Sequence, residues 1–137
     1  MKEITLFLIK PDSTAKNHAG AILKIIEEHG FVIQEMRMLC MDREFAERFY
    51  TVHKGKVFYE KLIEFMTSGK TVAAILQKEN AIENLRKIVG KTDYHETQPE
   101  TIRRIYGETV TRNAVHASDS IQHAKEEIAI IFPDYKY

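Results

Sequence analysis

The segment KEITLFLIK at residues 2–10 constrains the fold most, because almost all of its central residues are apolar. In a strand, alternate side chains point to opposite faces, so the run from Ile4 to Ile9 places apolar groups on both faces. Such a strand belongs in the middle of a sheet that is covered on both sides. Pro11 ends the strand. The rest of the chain must therefore supply layers that cover this sheet.

Hydrophobic periodicity predicts alternating helices and strands along the whole chain. Gly30 and Gly90 are placed as the residues just past two helix ends, and Asp42 as a helix N-cap. The long segment 91–113 holds only one short helical candidate, at 99–106, and loops of this length are commonly functional or disordered. A small α/β or α+β sandwich follows, with helices packed on one sheet. Helices are predicted at 17–29, 42–52, 58–66, 81–89 and from Ser118 or Asp119 to 130, and further strands at 31–41 and 71–77.

Length and charge indicate one domain, residues 1–137, without a general affinity for polyanions. The chain has 20 Lys and Arg residues against 20 Asp and Glu residues, so any anion site must be built locally. Cys40 is the lone cysteine, and its apolar neighbours predict a buried thiol. The absence of an internal disulfide favours the reducing cytoplasm. No signal pattern occurs and the apolar runs are too short to cross a bilayer, so no membrane partner is expected.

His116, in the stretch TRNAVHASDS (111–120), is the candidate nucleophile. Histidine can attack phosphorus when a hydrogen bond fixes one ring nitrogen and leaves the other bare. Glu127, on the helix that follows, can make that bond, and Ser118 can bridge the two. The alternative is that His116 is a helix cap or a satisfied core histidine, and spacing does not separate these two readings. His123 is expected to be a dispensable surface residue of the following helix.

Phosphate chemistry also needs several donors that converge on the phosphate oxygens. Each candidate alone could instead be a solvated surface group. No Gly-x-x-x-x-Gly-Lys-Ser/Thr cradle and no kinase-type glycine-rich loop occurs, which excludes those two classes of nucleotide enzyme. The candidate donors are Tyr50, His53, Arg86, Thr92 and Arg103.

Four segments together resemble the nucleoside diphosphate kinases, in their short bacterial-type form, over essentially the full chain. They are LFLIKPDS (6–13), FYTVHKGKVFY (49–59), EFMTSG (64–69) and NAVHASDS (113–120). The last matches the family signature Asn-x-x-His-(Gly/Ala)-Ser-Asp. The resemblance implies an α+β fold that the residues alone left open: a ferredoxin-like βαββαβ sandwich with a four-stranded antiparallel sheet.

The resemblance also implies an activity and a set of roles. The terminal phosphoryl group of a nucleoside triphosphate such as ATP would pass to a nucleoside diphosphate by a ping-pong route, through a phosphohistidine on His116. Glu127 and Ser118 would orient the ring, while Lys10 and Asn113 would bind the ribose hydroxyls and help position the leaving oxygen. The other nucleotide-binding positions would be Tyr50, Arg86, Thr92 and Arg103 for the phosphates, His53 as a further donor, Phe58 as the platform under the base and Val110 as its opposite wall.

Substrates and cofactor follow from these roles. Stacking on Phe58 tolerates any base, so both purines and pyrimidines are expected. The resemblance implies nucleoside di- and triphosphates as substrates, with either ribose or deoxyribose. Mg²⁺ would bridge the phosphates and keep water in its shell, without a cage of protein ligands. The family forms homo-oligomers, so a tetramer or hexamer is expected.

The chain departs from the usual family pattern at several positions. Lys56 and Val57 replace an Arg-Pro pair, and Lys70 replaces a proline. In the 91–113 loop, Tyr94 replaces a stiffening proline, and Arg104-Ile105 replaces a small residue and an acid. Because this loop lines subunit contacts in the family, these changes bear on assembly more than on chemistry.

The sequence argues against two other classes of protein. A non-catalytic ferredoxin-like binding module would be expected to have lost His116 or Arg103, and both are present. A nucleic-acid-binding protein could use exposed aromatic residues on such a sheet to stack bases. Balanced charge and the lack of an aromatic ribonucleoprotein motif oppose that reading, so no dedicated nucleic-acid binding is expected.

Overall fold

A computed structural model describes residues 2–93 and 96–137, which form a four-stranded sheet with helices on both faces. The strands are β1 (Lys2–Ile9), β2 (Val32–Cys40), β3 (Lys70–Glu79) and β4 (Val115–Ala117). The helices are α1 (Pro11–Ala15), α2 (Ala19–Glu28), α3 (Arg43–Phe49), α4 (Tyr59–Met66), α5 (Ala81–Val89), α6 (Ile102–Tyr106) and α7 (Ile121–Ile131), and a 3₁₀ turn spans Thr51–His53.

The order of the sheet is β2-β3-β1-β4, and every neighbouring pair is antiparallel. β1 pairs along its whole length with β3, from Lys2 opposite Glu79 to Ile9 opposite Val72. Its other edge pairs with β4. The prediction that residues 2–10 form a central strand is confirmed, and the architecture is the ferredoxin-like α+β fold.

The two faces of β1 supply two separate hydrophobic cores. Leu6 and Leu8 pack with residues of α3, α4 and α7 on one face of the sheet. Phe7 and Ile9 pack with residues of α2, α5 and α6 on the other face. All four side chains are completely buried, and each such burial stabilises the fold by about 1.5–3 kcal/mol. The unbroken apolar run of β1 is therefore explained by helices on both of its sides.

Most helix boundaries agree with those predicted from glycines and from the N-cap residue. Gly30 and Gly90 follow α2 and α5 with φ of +85° and +93°, values that favour glycine. The Asp42 side chain accepts a hydrogen bond of 2.8 Å from the Phe45 amide, so it caps α3 as predicted. That helix ends earlier than the predicted residue 52, and the 3₁₀ turn continues the chain.

Several predictions were wrong or incomplete. The short elements α1 and β4 were missed, because three to five residues carry too little periodicity to be recognised. The N-cap of α7 is Ser120, whose hydroxyl accepts from the His123 amide at 3.0 Å, whereas Ser118 lies in the core. Cys40 is exposed rather than buried, because it ends the edge strand β2.

The long segment after α5 is mostly irregular, and α6 confirms the one short helix predicted within it. The departure at Tyr94 lies outside the described residues. Of the helices in residues 2–93 and 96–137, none combines the length and the apolar character needed to span a membrane.

Candidate functional site

His116 is the middle residue of β4 and lies directly opposite Leu8 of β1. Paired residues share a face of the sheet, so the imidazole points toward the core that contains α3 and α7. Phe49 and Tyr50 meet it edge-on, with ring centroids 5.4 Å and 6.5 Å away. The imidazole is therefore held by packing, while 20% of its side chain remains exposed.

An unusual turn leads into β4. Ala114 has a φ of +75°, and the Val115 amide donates to the Asn113 carbonyl across it at 2.9 Å, which makes a γ-turn. A left-handed conformation of this kind costs about 1–3 kcal/mol outside glycine. The buried Asp12 carboxylate offsets part of that cost by accepting from the Ala114 amide at 3.0 Å. The turn thus sets the position of His116 relative to the end of β1.

Glu127 and Ser118 complete an arrangement around the imidazole. His116 Nε2 lies 3.0 Å and 3.1 Å from the two carboxylate oxygens of Glu127, and the Ser118 hydroxyl donates to Glu127 Oε1 at 2.5 Å. A carboxylate can only accept, so the ring proton is on Nε2 and the lone pair is on Nδ1. Nδ1 makes no hydrogen bond with the described residues. The chemistry open to this nitrogen is nucleophilic attack.

Two adjoining cavities meet at His116. The Phe58 cavity has a volume of about 390 Å³, and the Arg86 cavity has about 430 Å³. They share His53, Thr92, Arg103 and His116. All nine predicted nucleotide-binding residues line one cavity or both. The Phe58 cavity is lined by Lys10, Tyr50, His53, Phe58, Leu62, Thr92, Arg103, Val110, Thr111, Asn113 and His116.

Lys10 and Asn113 join the end of β1 to the long loop. Lys10 Nζ donates to Asn113 Oδ1 at 3.0 Å, and Asn113 Nδ2 donates to the Thr92 and Val110 carbonyls at 3.2 Å and 2.9 Å. Burial, reinforced by the nearby charge of Arg103, lowers the pKa of Lys10 to about 7, although Asp12 opposes the shift. A small change in the local field therefore changes the charge of this lysine near neutral pH.

Arg103 is the most buried cation of the long loop. Its Nη1 donates to the Gly90 carbonyl at 2.9 Å and its Nη2 to the Val115 carbonyl at 3.1 Å. Burial and the neighbouring Arg86 lower its pKa to about 10, so it stays cationic at neutral pH. Gly90 was predicted only as the residue that follows a helix, and its role in holding Arg103 was missed. A side chain does not fit at this position, because a Cβ there would lie 2.7 Å from Thr101 Oγ1.

Two buried donors at this site have no hydrogen-bond partner among the described residues: the Tyr50 hydroxyl and Arg103 Nε. Buried polar groups are nearly always hydrogen-bonded in proteins, so unpaired donors on residues that line a cavity require a partner, which can be water or a polar ligand. Burial, with a contribution from the Glu127 charge, raises the pKa of Tyr50, which therefore remains a neutral donor. Oxygen-rich anions fit this combination of donors and positive charge.

The outer end of the Phe58 cavity is apolar. Phe58 and Val110 are 43% and 57% exposed, which leaves their side chains able to contact a flat ligand. The His53 ring lies 5.3 Å from the Phe58 ring. Burial and the Lys56 charge lower the pKa of His53, which favours its neutral form. The cavity thus passes from an apolar mouth to a cationic interior.

Sequence reasoning missed Leu62 and Thr111 in the Phe58 cavity, and it missed several residues that line the Arg86 cavity, among them Asp119 and His123. The spacing of Asp119 and His123, four residues apart at a helix start, was the available signal. His123 was expected in the body of the helix, and it lies in its first turn with 43% of its side chain exposed. Of the family departures, Val57 and Ile105 are exposed.

Comparisons with known proteins show which family this chain and its fold resemble. The family profile described as nucleoside diphosphate kinase matches residues 3–137. A nucleoside diphosphate kinase of Methanocaldococcus jannaschii is 45% identical over 98% of this chain and 96% of its own length, and one of Staphylothermus marinus is 47% identical over 96% and 94%. The crystal structure of the Aquifex aeolicus nucleoside diphosphate kinase superposes with a TM-score of 0.94 at 41% identity, covering 96% of each chain.

Proposed function

The chain belongs to the nucleoside diphosphate kinase family, and from that premise we propose a ping-pong transfer through a phosphohistidine on His116. The terminal phosphoryl group of a nucleoside triphosphate such as ATP moves to His116, and then to a nucleoside diphosphate. The observation that carries the proposal is the hydrogen bond of His116 Nε2 to Glu127, which leaves Nδ1 with its lone pair in a cationic cavity.

In the first half-reaction, the Nδ1 lone pair forms a bond to the terminal phosphorus while the bond from phosphorus to the bridging oxygen breaks. The electron pair of that bond stays with the leaving diphosphate. The imidazole becomes cationic as it is phosphorylated, and Glu127 stabilises that charge through the proton retained on Nε2. The Ser118 hydrogen bond keeps the carboxylate in place. The second half-reaction is the reverse, with a different diphosphate.

Charge that spreads over the phosphoryl oxygens during transfer needs preorganised donors. Arg103 and Tyr50 supply the buried donors that lack partners, and Arg86, Thr92 and His53 line the adjoining space. Lys10 lies at the junction of the phosphates and the sugar, where its ammonium group can offset the charge of the leaving oxygen. Arg103 is preorganised because the carbonyls of Gly90 and Val115 hold its guanidinium group.

The sugar and base would be bound by the remaining residues of the Phe58 cavity. Both amide hydrogens of Asn113 are used by loop carbonyls, so Asn113 can only accept, through the oxygen that also bonds Lys10. The Asn113 oxygen would accept from one ribose hydroxyl, and Lys10 would donate to the other. The base stacks between Phe58 and Val110, contacts that do not select one base. We propose both ribonucleotides and deoxyribonucleotides as substrates.

Magnesium would enter as part of the nucleotide substrate and shield the charge of the phosphates. Among residues 2–93 and 96–137, no group of three or more His, Cys, Asp and Glu side chains could hold a metal ion. The donor set of the two cavities suits phosphate oxygens rather than a cation, because arginine, lysine and tyrosine supply most of it. When bound with the nucleotide, the ion would be held mainly by phosphate oxygens and water.

We also infer that residues 1–137 act as one domain in the cytoplasm and assemble as a homo-oligomer, a tetramer or a hexamer. The exposed Ile105, with 52% of its surface accessible in the single chain, supports a contact in this region. A native mass measurement distinguishes these two assemblies from each other and from a monomer.

The central test is incubation with magnesium and ATP alone. We expect an acid-labile, base-stable phosphoprotein that is discharged when GDP is added, and no label on His116→Ala. His29→Ala is the matched control, because that exposed histidine bonds the Ile25 carbonyl far along the chain from the site and should label normally. Absence of label in the wild-type protein would contradict the proposal. A binding module would bind ATP without becoming labelled.

A further inference from the structure

A second pair of carboxylate and imidazole groups lies in the Arg86 cavity. The Nδ1 of His123 bonds Oδ1 of Asp119, four residues earlier. Both side chains line the cavity together with His116. Ser120 accepts from the His123 amide at 3.0 Å and so fixes the backbone that presents the imidazole. This pair is part of the phosphate environment, although neither residue belongs to the predicted nucleotide-binding set.

The negative charge of the Asp119 carboxylate opposes the binding of phosphates in this cavity. The two other acids that line it are already engaged: Glu127 bonds His116, and Glu126 accepts from Gln122 at 2.8 Å. An uncompensated carboxylate would repel phosphate oxygens at short range. It could also form an ion pair with Arg86. The hydrogen bond of His123 is the main cause of the lowered pKa of Asp119, and the charge of Arg86 adds to it.

We propose that His123 is a positioning residue that holds the Asp119 carboxylate and offsets its charge, so that this carboxylate neither pairs with Arg86 nor repels nucleotide phosphates. The inference rests on the proposed function, since it presumes that phosphates enter this cavity. Nε2 of His123 is not used by the pair and stays available to the cavity or to water. The expected effect is modest, because both side chains are partly exposed, 43% for His123 and 56% for Asp119.

The charge of His123 depends on pH in a defined direction. The hydrogen bond and the charge of Asp119 raise the pKa of His123, so the imidazolium persists to higher pH than in a free histidine. The positive charge of His123 that offsets Asp119 is present below this raised pKa and is lost as pH rises through it. The charged or titratable groups that face the pair across the cavity are Arg48 of α3, His53 of the 3₁₀ turn, Arg86 of α5, Arg103 of α6, His116 of β4, and Glu126 and Glu127 of α7.

The test is calorimetric binding of ADP without metal, which involves neither phosphoryl transfer nor a magnesium ion. At pH 6, His123→Ala is expected to weaken ADP binding about threefold, whereas Asp119→Asn binds as well as wild type or better. The double variant should match Asp119→Asn, because His123 has no charge left to offset. His29→Ala serves as the matched control and should not change the dissociation constant.

The pH profile adds a readout that a structural role would not move. The ratio of dissociation constants between His123→Ala and wild type should fall from about threefold at pH 6 to about one at pH 9. Titration of ADP itself cancels in this ratio. Equal binding by both proteins at pH 6, or a double variant as weak as His123→Ala, would overturn the inference. Failure of wild type and all variants to bind ADP would instead overturn the proposed function.

Discussion

Two pairs of histidine and carboxylate line one cavity, and their differences explain why they receive different roles. In the pair of His116 and Glu127, 20% and 16% of the side chains are exposed, against 43% and 56% for His123 and Asp119. The first pair joins β4 to α7 and has a third member, Ser118. The second joins His123, in the first turn of α7, to Asp119, which lies just before the N-cap Ser120. Residue type does not decide which histidine is poised for attack.

The ring nitrogen that each carboxylate binds also differs. Glu127 holds Nε2 of His116 and leaves Nδ1, whereas Asp119 holds Nδ1 of His123 and leaves Nε2. The first imidazole is packed against Phe49 and Tyr50, so its direction is fixed. A nucleophile needs a fixed direction, but a compensating charge does not. The comparison therefore predicts graded effects for substitutions at the two pairs.

The largest effect is expected for His116→Ala, which should lower kcat by about 10⁴-fold or more. His123 lies in the same cavity but is not expected to take over, because its carboxylate holds the wrong nitrogen and its ring is not packed. Steady-state turnover with ATP and GDP measures the loss. Circular dichroism and ADP binding, both expected to stay near wild type, are the controls. Phosphorylation of His123 in this variant would contradict the different roles given to the two histidines.

Arg103→Ala should have the next largest effect, lowering kcat by about 10²–10³-fold. Its buried charge is needed most when charge spreads over the phosphoryl oxygens, so ADP affinity should fall much less than kcat. Rapid-quench measurement of phosphoprotein formation, combined with calorimetry, separates the two quantities. Arg86→Ala is the matched comparison, because Arg86 is exposed and its loss should lower kcat less. Equal losses in kcat and affinity would contradict this role.

Glu127→Gln tests the comparison directly, because Asp119→Asn makes the same chemical change in the other pair. We expect Glu127→Gln to slow formation of the phosphoprotein about 100-fold, since an amide cannot stabilise the phosphorylated imidazolium as a carboxylate does. Asp119→Asn should change this rate by less than about threefold. Single-turnover rates for both variants measure the contrast. Equal rates in the two variants would remove the distinction between the pairs.

The smallest effect concerns a proton at Lys10. Its pKa of about 7, lowered first by burial, means that the lysine is mostly neutral at pH 8, and incoming phosphates should raise the pKa again. ADP binding at pH 8 should therefore take up between about half a proton and one proton. Calorimetry in two buffers of different ionisation enthalpy measures the uptake. Lys10→Met should abolish it, and uptake that survives in this variant would assign the proton elsewhere.

The lowered pKa of Lys10 also affects the stability of the fold. Because the folded-state pKa lies below the usual 10.5 of lysine, the unfolded chain binds more protons between about pH 7 and 10.5. Lys10 therefore makes the free energy of unfolding rise with pH across that window.

Much of the fold could be predicted from local patterns. The central strand, the helix at 81–89 and the glycines that end two helices follow from periodicity and from backbone freedom at glycine. β4 could not be predicted in this way, since its three residues form a strand only because β1 offers an unpaired edge. The resemblance to a known family supplied the candidate site residues, which the structure places along two adjoining cavities. Residue spacing alone left His116 undecided between a nucleophile and a core histidine.

By itself, the sequence determined the longer helices and strands, because periodicity and capping depend on residues that are near one another in the chain. It also determined the family, because four short segments each carry a recognisable residue pattern. The tertiary structure decided which histidine has a bare, directed nitrogen, which donors lack partners, and why Lys10 loses its proton near neutral pH. Those properties depend on burial and on distances between charges from separate elements, and the electrostatic energy of a group is set by these quantities rather than by its neighbours in sequence.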